Sequence, residues 1–279
     1  NIAEHRLPQD GRMKLKMGKK EIDVRVSILP TVHGEKAVLR LLGSGDKELN
    51  LTNLGFPNNK LTKFKKWINQ PYGMVIISGP TGSGKSTTLY AALQEIKNDT
   101  INITTVEDPV EYQIPGINQI QVHEKIGLSF AAALRSILRQ DPDVLLIGEI
   151  RDQETADIAV KFSMTGHLVF STVHANDAPS TISRLLDLGV PPFLLGSSLN
   201  LIMAQRLIRT IDSNEKEQDT PTNEQLQRLG IAENSNQMTF YKGKPTQQNH
   251  NTGYKGRTAI HEILEVNSSV REMIFEGKS

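Results

Sequence analysis

Residues 74–87 read Met74-Val75-Ile76-Ile77-Ser78-Gly79-Pro80-Thr81-Gly82-Ser83-Gly84-Lys85-Ser86-Thr87. A run suited to a buried strand leads into a loop of the form G-x4-G-K-[S/T], and an Ala/Leu-rich helical stretch leads out from Thr87. The pattern has meaning in that strand–loop–helix setting. Gly82 and Gly84 let successive backbone N–H groups turn toward one point, and the helix N-terminus adds positive potential there. The residues from Gly79 to Thr87 are therefore expected to cradle phosphate. Lys85 is expected to reach the β- and γ-phosphates, and Ser86 to ligand Mg²⁺.

Outward from this loop, apolar runs at 74–77, 101–106, 144–147 and 168–170 alternate with helical patterns near 86–97, 129–140, 152–164 and 178–188. Strands alternating with helices predict a parallel α/β sheet. Residues 193–205 read as another helix, with Leu194, Leu195, Leu199, Ile202 and Met203 on its apolar side. From about 212 to 252 the text turns polar and predicts a partly ordered excursion. Residues 257–264 and an amphipathic helix near 268–276 read as structured again. Toward the N-terminus, Met13, Leu15 and Met17 alternate with charged residues, a Gly18-Lys19 turn follows, and Ile22, Val24, Val26 and Ile28 alternate in turn. That is a hairpin pattern, with a third strand at 36–42. Gly43-Ser44-Gly45-Asp46-Lys47 reads as a linker. Leu61, Phe64, Lys65 and Ile68 fall at helical spacing before Pro71, which closes the helix. Residues 1–45 are thus expected to form a small, mainly β unit with its linker, and residues 46–279 an α/β domain with a polar insertion.

Composition narrows the function. The 279 residues include no cysteine, which excludes disulfides, zinc–thiolate sites and a cysteine nucleophile. Lys and Arg number 32 against 31 Asp and Glu, so no basic footprint for nucleic acid is expected. No apolar run approaches the roughly 20 residues that span a bilayer, and no signal peptide opens the chain. The expectation is a cytosolic protein. The polar start at Asn1 adds the expectation of a fragment of a longer one.

Two acidic groups follow apolar strands. Glu149, after Gly148, ends the run that begins at Val144, where a P-loop fold uses a carboxylate to hold the Mg²⁺ shell through water. Capping of the following helix is the alternative role. Glu107-Asp108-Pro109-Val110-Glu111 follows the run ending at Val106, and strand C-termini converge on the ligand crevice in a doubly wound sheet. One of these carboxylates is placed to orient an attacking water and take its proton.

Taken together, these residues resemble the type II secretion and type IV pilus assembly ATPases, a branch of hexameric RecA-like motors. The resemblance is carried by Gly79–Thr87 as Walker A, Thr105-Val106-Glu107-Asp108-Pro109-Val110-Glu111 as the aspartate box and Gly148-Glu149-Ile150-Arg151-Asp152 as Walker B. The histidine box is Thr165-Gly166-His167-Leu168-Val169-Phe170-Ser171-Thr172-Val173-His174-Ala175-Asn176. It runs from Arg6-Leu7-Pro8-Gln9-Asp10-Gly11-Arg12 to Thr258-Ala259-Ile260-His261-Glu262. It implies a RecA-like ATPase core behind a small PAS-like domain, with ATP and Mg²⁺ as cofactors. It further implies that Lys85 and Ser86 bind phosphate and Mg²⁺, that Glu149 is the Walker B carboxylate and that an aspartate-box glutamate is the general base, Glu111 being favoured over Glu107. His174 resembles the residue that senses the γ-phosphate, and His167 a packing partner. Arg25 and Arg40 stand where the family supplies arginines to the nucleotide, commonly across a subunit boundary. Arg135 and Arg139, an i, i+4 pair, are expected to point toward the aspartate- and Walker-box loops.

Many members carry two C-x-x-C pairs that hold zinc around an insertion. Here Asp212, Glu215, Thr246 and Asn249 fall at those positions, so no zinc is expected and the insertion is held by other means or mobile. The family's N-terminal docking domains have no counterpart in the sequence, which strengthens the fragment reading. The resemblance implies a ring, six subunits being expected, that works on an inner-membrane platform protein with a cytoplasmic docking partner to extrude a pilus or pseudopilus. The resemblance implies a place in the cytoplasm, peripheral to the inner membrane. A retraction or competence motor is the runner-up, against which the long insertion speaks. A nucleic-acid translocase is disfavoured by the charge balance and the 5% aromatic content. A silent nucleotide-binding module would lack the base or the Walker carboxylate, and neither is missing. ATP over GTP comes from the resemblance alone.

Overall fold

The computed structural model describes residues 2–18, 20–41, 49–231 and 238–278. Three strands open it: β1 (Gln9–Met17), β2 (Lys20–Thr31) and β3 (Gly34–Leu41), antiparallel in the order β1-β2-β3. The alternation in the sequence is the origin of this sheet, and among its described side chains only Val24 is fully buried. The expected linker at 43–47 lies outside the described residues.

After α1 (Asn58–Ile68), the chain winds through β4 (Gly73–Ser78), α2 (Lys85–Ile96), β5 (Ile103–Glu107), β6 (Asn118–Gln121), α3 (Phe130–Ile137), β7 (Val144–Ile147), α4 (Gln153–Met164), β8 (Leu168–Val173), α5 (Ala178–Asp187) and α6 (Pro192–Ser198). It continues with β9 (Leu199–Ile211), β10 (Lys216–Asp219), α7 (Asn223–Arg228), β11 (Phe240–Gly243), β12 (Tyr254–Glu265) and α8 (Ser268–Phe275). Seven strands form one sheet in the order β12-β9-β4-β8-β7-β5-β6, parallel except for the antiparallel β12–β9 pair.

Every residue of β4, β5, β7 and β8 is buried. The reason shows in β4, where Met74 and Ile76 belong to one apolar cluster while Val75 and Ile77 belong to the cluster on the opposite face. Helices cover both faces of a parallel sheet, so its strands read as unbroken apolar runs.

The same physics corrects one expectation. Residues 193–205 are not a single helix: α6 stops at Ser198 and β9 begins at Leu199. Leu201 and Met203 join one face cluster, Ile202 and Ala204 the other. An apolar run buried on both sides has no period to distinguish strand from helix. The open position beside β4, which β9 fills in parallel register, decides it.

The polar stretch is ordered over most of its length. β10 and β11 pair antiparallel, and residues 232–237 lie outside the described set. At the positions where zinc ligands are implied by the resemblance, Asp212 and Asn249 are buried. Asn249 Oδ1 accepts from the backbone N–H groups of Thr246 (2.9 Å) and Gly253 (3.1 Å), and its Nδ2 donates to Lys244 O (2.8 Å). Asp212 N–H donates to Gly253 O, and Glu215 N–H to Asp212 O, both at 3.1 Å. The Asn249 amide is committed to the backbone and Asp212 Oδ1 accepts from Asn214 N–H (3.2 Å); among the described residues no three His, Cys, Asp or Glu gather at these positions.

Candidate nucleotide site

A crevice of about 690 Å³ opens at the C-terminal ends of β4, β5, β7 and β8. Ligands bind at this end of open α/β sheets because strand ends and helix N-termini converge there. The phosphate loop forms its floor. Gly79 has φ +144, and a Cβ there would lie 2.4 Å from Gln205 O; Gly84, at φ +88, would place one 2.9 Å from Gln205 Nε2. Both positions therefore require glycine. Gln205, buried on β9, braces the loop from beneath: its Nε2 donates to Ser83 O (2.8 Å) and its Oε1 accepts from the Thr88 hydroxyl (2.8 Å).

Lys85 Nζ donates to Gly79 O (2.8 Å) and Pro80 O (3.1 Å). Burial lowers its pKa from the ordinary lysine value, and the nearby Glu149 opposes that. Ser86 stands in the first turn of α2, and Glu149 enters the crevice just beyond β7. A hydroxyl and a carboxylate are the hard oxygen donors that Mg²⁺ prefers, so this pair fits the ion. Thr172 Oγ1 donates to Gly148 O (2.7 Å), and Ile150 N–H to Thr172 O (3.0 Å), which ties the Glu149 turn to β8. Arg151 Nη2 lies 2.9 Å from Glu149 Oε2, and its Nη1 lies 3.8 Å from Asp108 Oδ2. His174 Nε2 lies 3.4 Å from Glu149 Oε1.

The two aspartate-box glutamates differ sharply. Glu107 is buried, and its carboxylate accepts from Thr105 Oγ1 (2.6 Å), Gln119 Nε2 (3.2 Å) and the hydroxyl of Tyr90. Glu111 lines the crevice with a carboxylate that has no hydrogen-bond partner among the described residues.

Of the arginines named from the sequence, Arg40 lines the crevice of its own chain. Arg25 does not line it. It is half-buried on β2, opposite Arg12 on one side and Arg40 on the other. Arg135 and Arg139 do not reach the crevice either, which corrects their expected direction. α3 turns Ala131, Ala133, Leu134 and Ile137 into the core, leaving Arg135 to pair with Glu154 at the start of α4. Arg139 lies past the last helical residue and donates to Arg135 O (3.0 Å). His167 binds the end of α4 through Thr165 Oγ1 (3.1 Å) and Phe162 O (3.2 Å).

Sequence reasoning missed Gln205, Tyr90, Arg151, Leu207, Arg257 and Arg12. Arg151 was legible beside Glu149. Gln205 and Arg12 act through strand register, which local pattern does not reveal.

Fold and site together define a P-loop nucleotide-binding protein with a RecA-like core. The family model for "Type II/IV secretion system protein" matches residues 1–279, and the chain belongs to that family. It is 51% identical over 282 residues to the type IV pilus assembly ATPase PilB of Myxococcus xanthus (strain DK1622), covering 100% of this chain and 50% of that protein. It is 49% identical over 279 residues to type II secretion system protein E of Dickeya dadantii (strain 3937), covering 100% of this chain and 55% of that protein. The chain thus spans about half the length of these relatives. The crystal structure of the pilus retraction motor PilT with bound ADP superposes with a TM-score of 0.72 at 30% identity, over 98% of this chain and 67% of that one.

Proposed function

We propose that this chain binds ATP with Mg²⁺ in the crevice and hydrolyses it, as the motor part of a ring that assembles a type IV pilus or a type II secretion pseudopilus. The observation that carries this reading is the convergence of the Gly79–Thr87 loop, Glu149, His174, Glu111 and Arg40 on one crevice. Its volume suits a nucleotide, within the ~300–1,000 Å³ usual for small-molecule sites. The loop's N–H groups and the start of α2 bind phosphate. Lys85, now held on loop carbonyls, gains a stronger acceptor in a phosphate oxygen. Ser86 and Glu149 would hold the Mg²⁺, which would polarise the transferred phosphoryl group. His174 stands beside Glu149 to read the γ-phosphate, and Arg40 supplies charge from the small sheet. Glu111, with its carboxylate free, takes the proton of the attacking water, while Glu107 holds the loop together.

Similarity to ATPases of pilus assembly and secretion supports the wider reading: six subunits, an inner-membrane platform protein and a docking partner, and a place at the cytoplasmic face. Among the described residues no helix is long and apolar enough to cross a membrane. The three-stranded sheet is assigned to the end of a PAS-like domain and residues 46–279 to the ATPase domain. A retraction motor is the second reading, favoured by the likeness to PilT.

The test compares Glu111→Gln with Glu107→Gln. Loss of a general base lowers kcat by about 10²–10⁴-fold, so Glu111→Gln is expected to bind ATP and lose turnover. Glu107→Gln is expected to lower stability first, by breaking its set of hydrogen bonds. A Glu111→Gln protein that turns over at the wild-type rate would defeat the assignment.

A further inference from the structure

We propose that the peptide unit joining Val110 to Glu111 is clamped on both sides, making Arg12 and Tyr90 positioning residues for Glu111 and coupling hydrolysis to docking of the N-terminal sheet. The inference rests on the reading of Glu111 as the base. Arg12 Nη2 donates to Val110 O at 2.6 Å, across 98 residues of sequence. The N–H of the same peptide unit, that of Glu111, donates to the Tyr90 hydroxyl at 3.2 Å. One planar group is therefore held at its oxygen by the small sheet and at its nitrogen by the helix that carries Lys85 and Ser86.

A planar peptide gripped at both polar ends loses its freedom to rotate, and the adjoining Cα of Glu111 is aimed with it. The two bonds also reinforce each other, because polarising a carbonyl strengthens its amide as a donor.

Each arm is built for the task. Tyr90 is 1% exposed, stacks edge-on to Tyr112 at 4.5 Å and donates its hydroxyl hydrogen bond to Glu107. Burial, then the neighbouring Glu107, raises its pKa far above the ordinary tyrosine value, so the hydroxyl keeps its proton and accepts from Glu111 with the same geometry at every working pH. Arg12 stands in a row with Arg25 and Arg40, directly opposite in the register of the three strands. Like charges directly opposite on a sheet are destabilising. The charge-assisted bond to Val110 O offsets part of that cost at one end of the row, while Arg40 faces the crevice at the other. The bond to Val110 exists only while the small sheet rests on the aspartate-box loop, so lifting that sheet frees the peptide that aims the base.

The experiment measures kcat, KM for ATP, Kd for a fluorescent ATP analogue and Tm on the whole chain. The variants are Arg12→Ala, Arg12→Lys, Tyr90→Phe and Arg12→Ala/Tyr90→Phe, with Glu111→Gln in parallel. A misplacement of about 1 Å costs up to roughly 10²-fold, so each of Arg12→Ala and Tyr90→Phe is expected to lower kcat by about 10- to 100-fold with Kd within about threefold. Arg12→Lys, which keeps a donor for the carbonyl, is expected to regain part of the rate. Because both arms act through one peptide, the double variant is expected to fall little below the worse single one. Wild-type kcat in either single variant, an effect confined to Kd, or losses that multiply in the double variant would overturn the clamp. Glu111→Gln separates the two readings: an active Glu111→Gln defeats the base assignment and the clamp with it. An inactive Glu111→Gln beside an unaffected Arg12→Ala defeats the clamp alone.

Discussion

Replacing Gln205 by Glu places an oxygen where the structure has the Nε2 that donates to Ser83 O at 2.8 Å, at a site 2% exposed. The shape is unchanged, so no cavity term enters. The lost bond and the desolvated, repelled acceptor together cost about 2–4 kcal/mol. The site has one escape, which is to protonate the introduced carboxyl so that it donates again. A penalty of that size corresponds to a pKa raised by about one and a half to three units above the usual glutamate value near 4.3, at 1.36 kcal/mol per unit. The sign follows. A folded-state pKa above the unfolded one means that the folded variant binds the extra proton, so its deficit is full above the raised pKa and shrinks as pH falls toward 4.3. Urea unfolding of variant and wild type at pH 8 and pH 5.5 should show a deficit at pH 8 of which roughly a third to a half is recovered at pH 5.5. Gln205→Leu, which has nothing to protonate, should show a deficit of about 1–3 kcal/mol from the orphaned Ser83 carbonyl, equal at both pH values. ATP affinity should follow stability in each case, since Gln205 shapes the loop beneath the phosphates. A Gln205→Glu deficit independent of pH would refute the brace.

Asn249→Ala should loosen the insertion without touching the core, because it deletes three hydrogen bonds to the backbone at residues 244, 246 and 253. Hydrogen exchange should rise between about 212 and 253 while β4 and β8 stay protected, and EDTA should leave the wild-type pattern unchanged. His261, stacked on Phe56 at 3.7 Å with both ring nitrogens buried and unpartnered among the described residues, has its pKa lowered to about 4 by burial and by the nearby Lys60. Its neutral form belongs to the fold, so wild-type stability is full above about pH 6.5 and declines as pH falls toward 4. His261→Phe should show a smaller decline over that window in Tm measured against pH.

Much of the molecule was legible locally. The phosphate loop declares itself because its glycines, lysine and serine are contiguous, and the strands β4, β5, β7 and β8 because parallel strands covered on both faces leave unbroken apolar runs. The same double burial concealed β9, whose run fits a helix as well as a strand until a place beside β4 is assigned to it. The resemblance favours Glu111 over Glu107, but local pattern alone does not separate them, since both are acidic residues of one loop. Their difference lies in Tyr90, Thr105 and Gln119, which fill the acceptor sites of one and leave the other open. The arginines divide for a similar reason. Sequence places Arg25 and Arg40 on strands, whereas register alone adds Arg12 to their row, with Arg12 on Val110 and Arg40 in the crevice. The sequence by itself determined the phosphate-binding chemistry and the α/β core, because short-range sterics and burial period are written in consecutive residues. Only the tertiary structure decided which carboxylate is left open and what holds it, because the deciding bonds join residues from 12 to 98 positions apart that meet only when the sheets are formed.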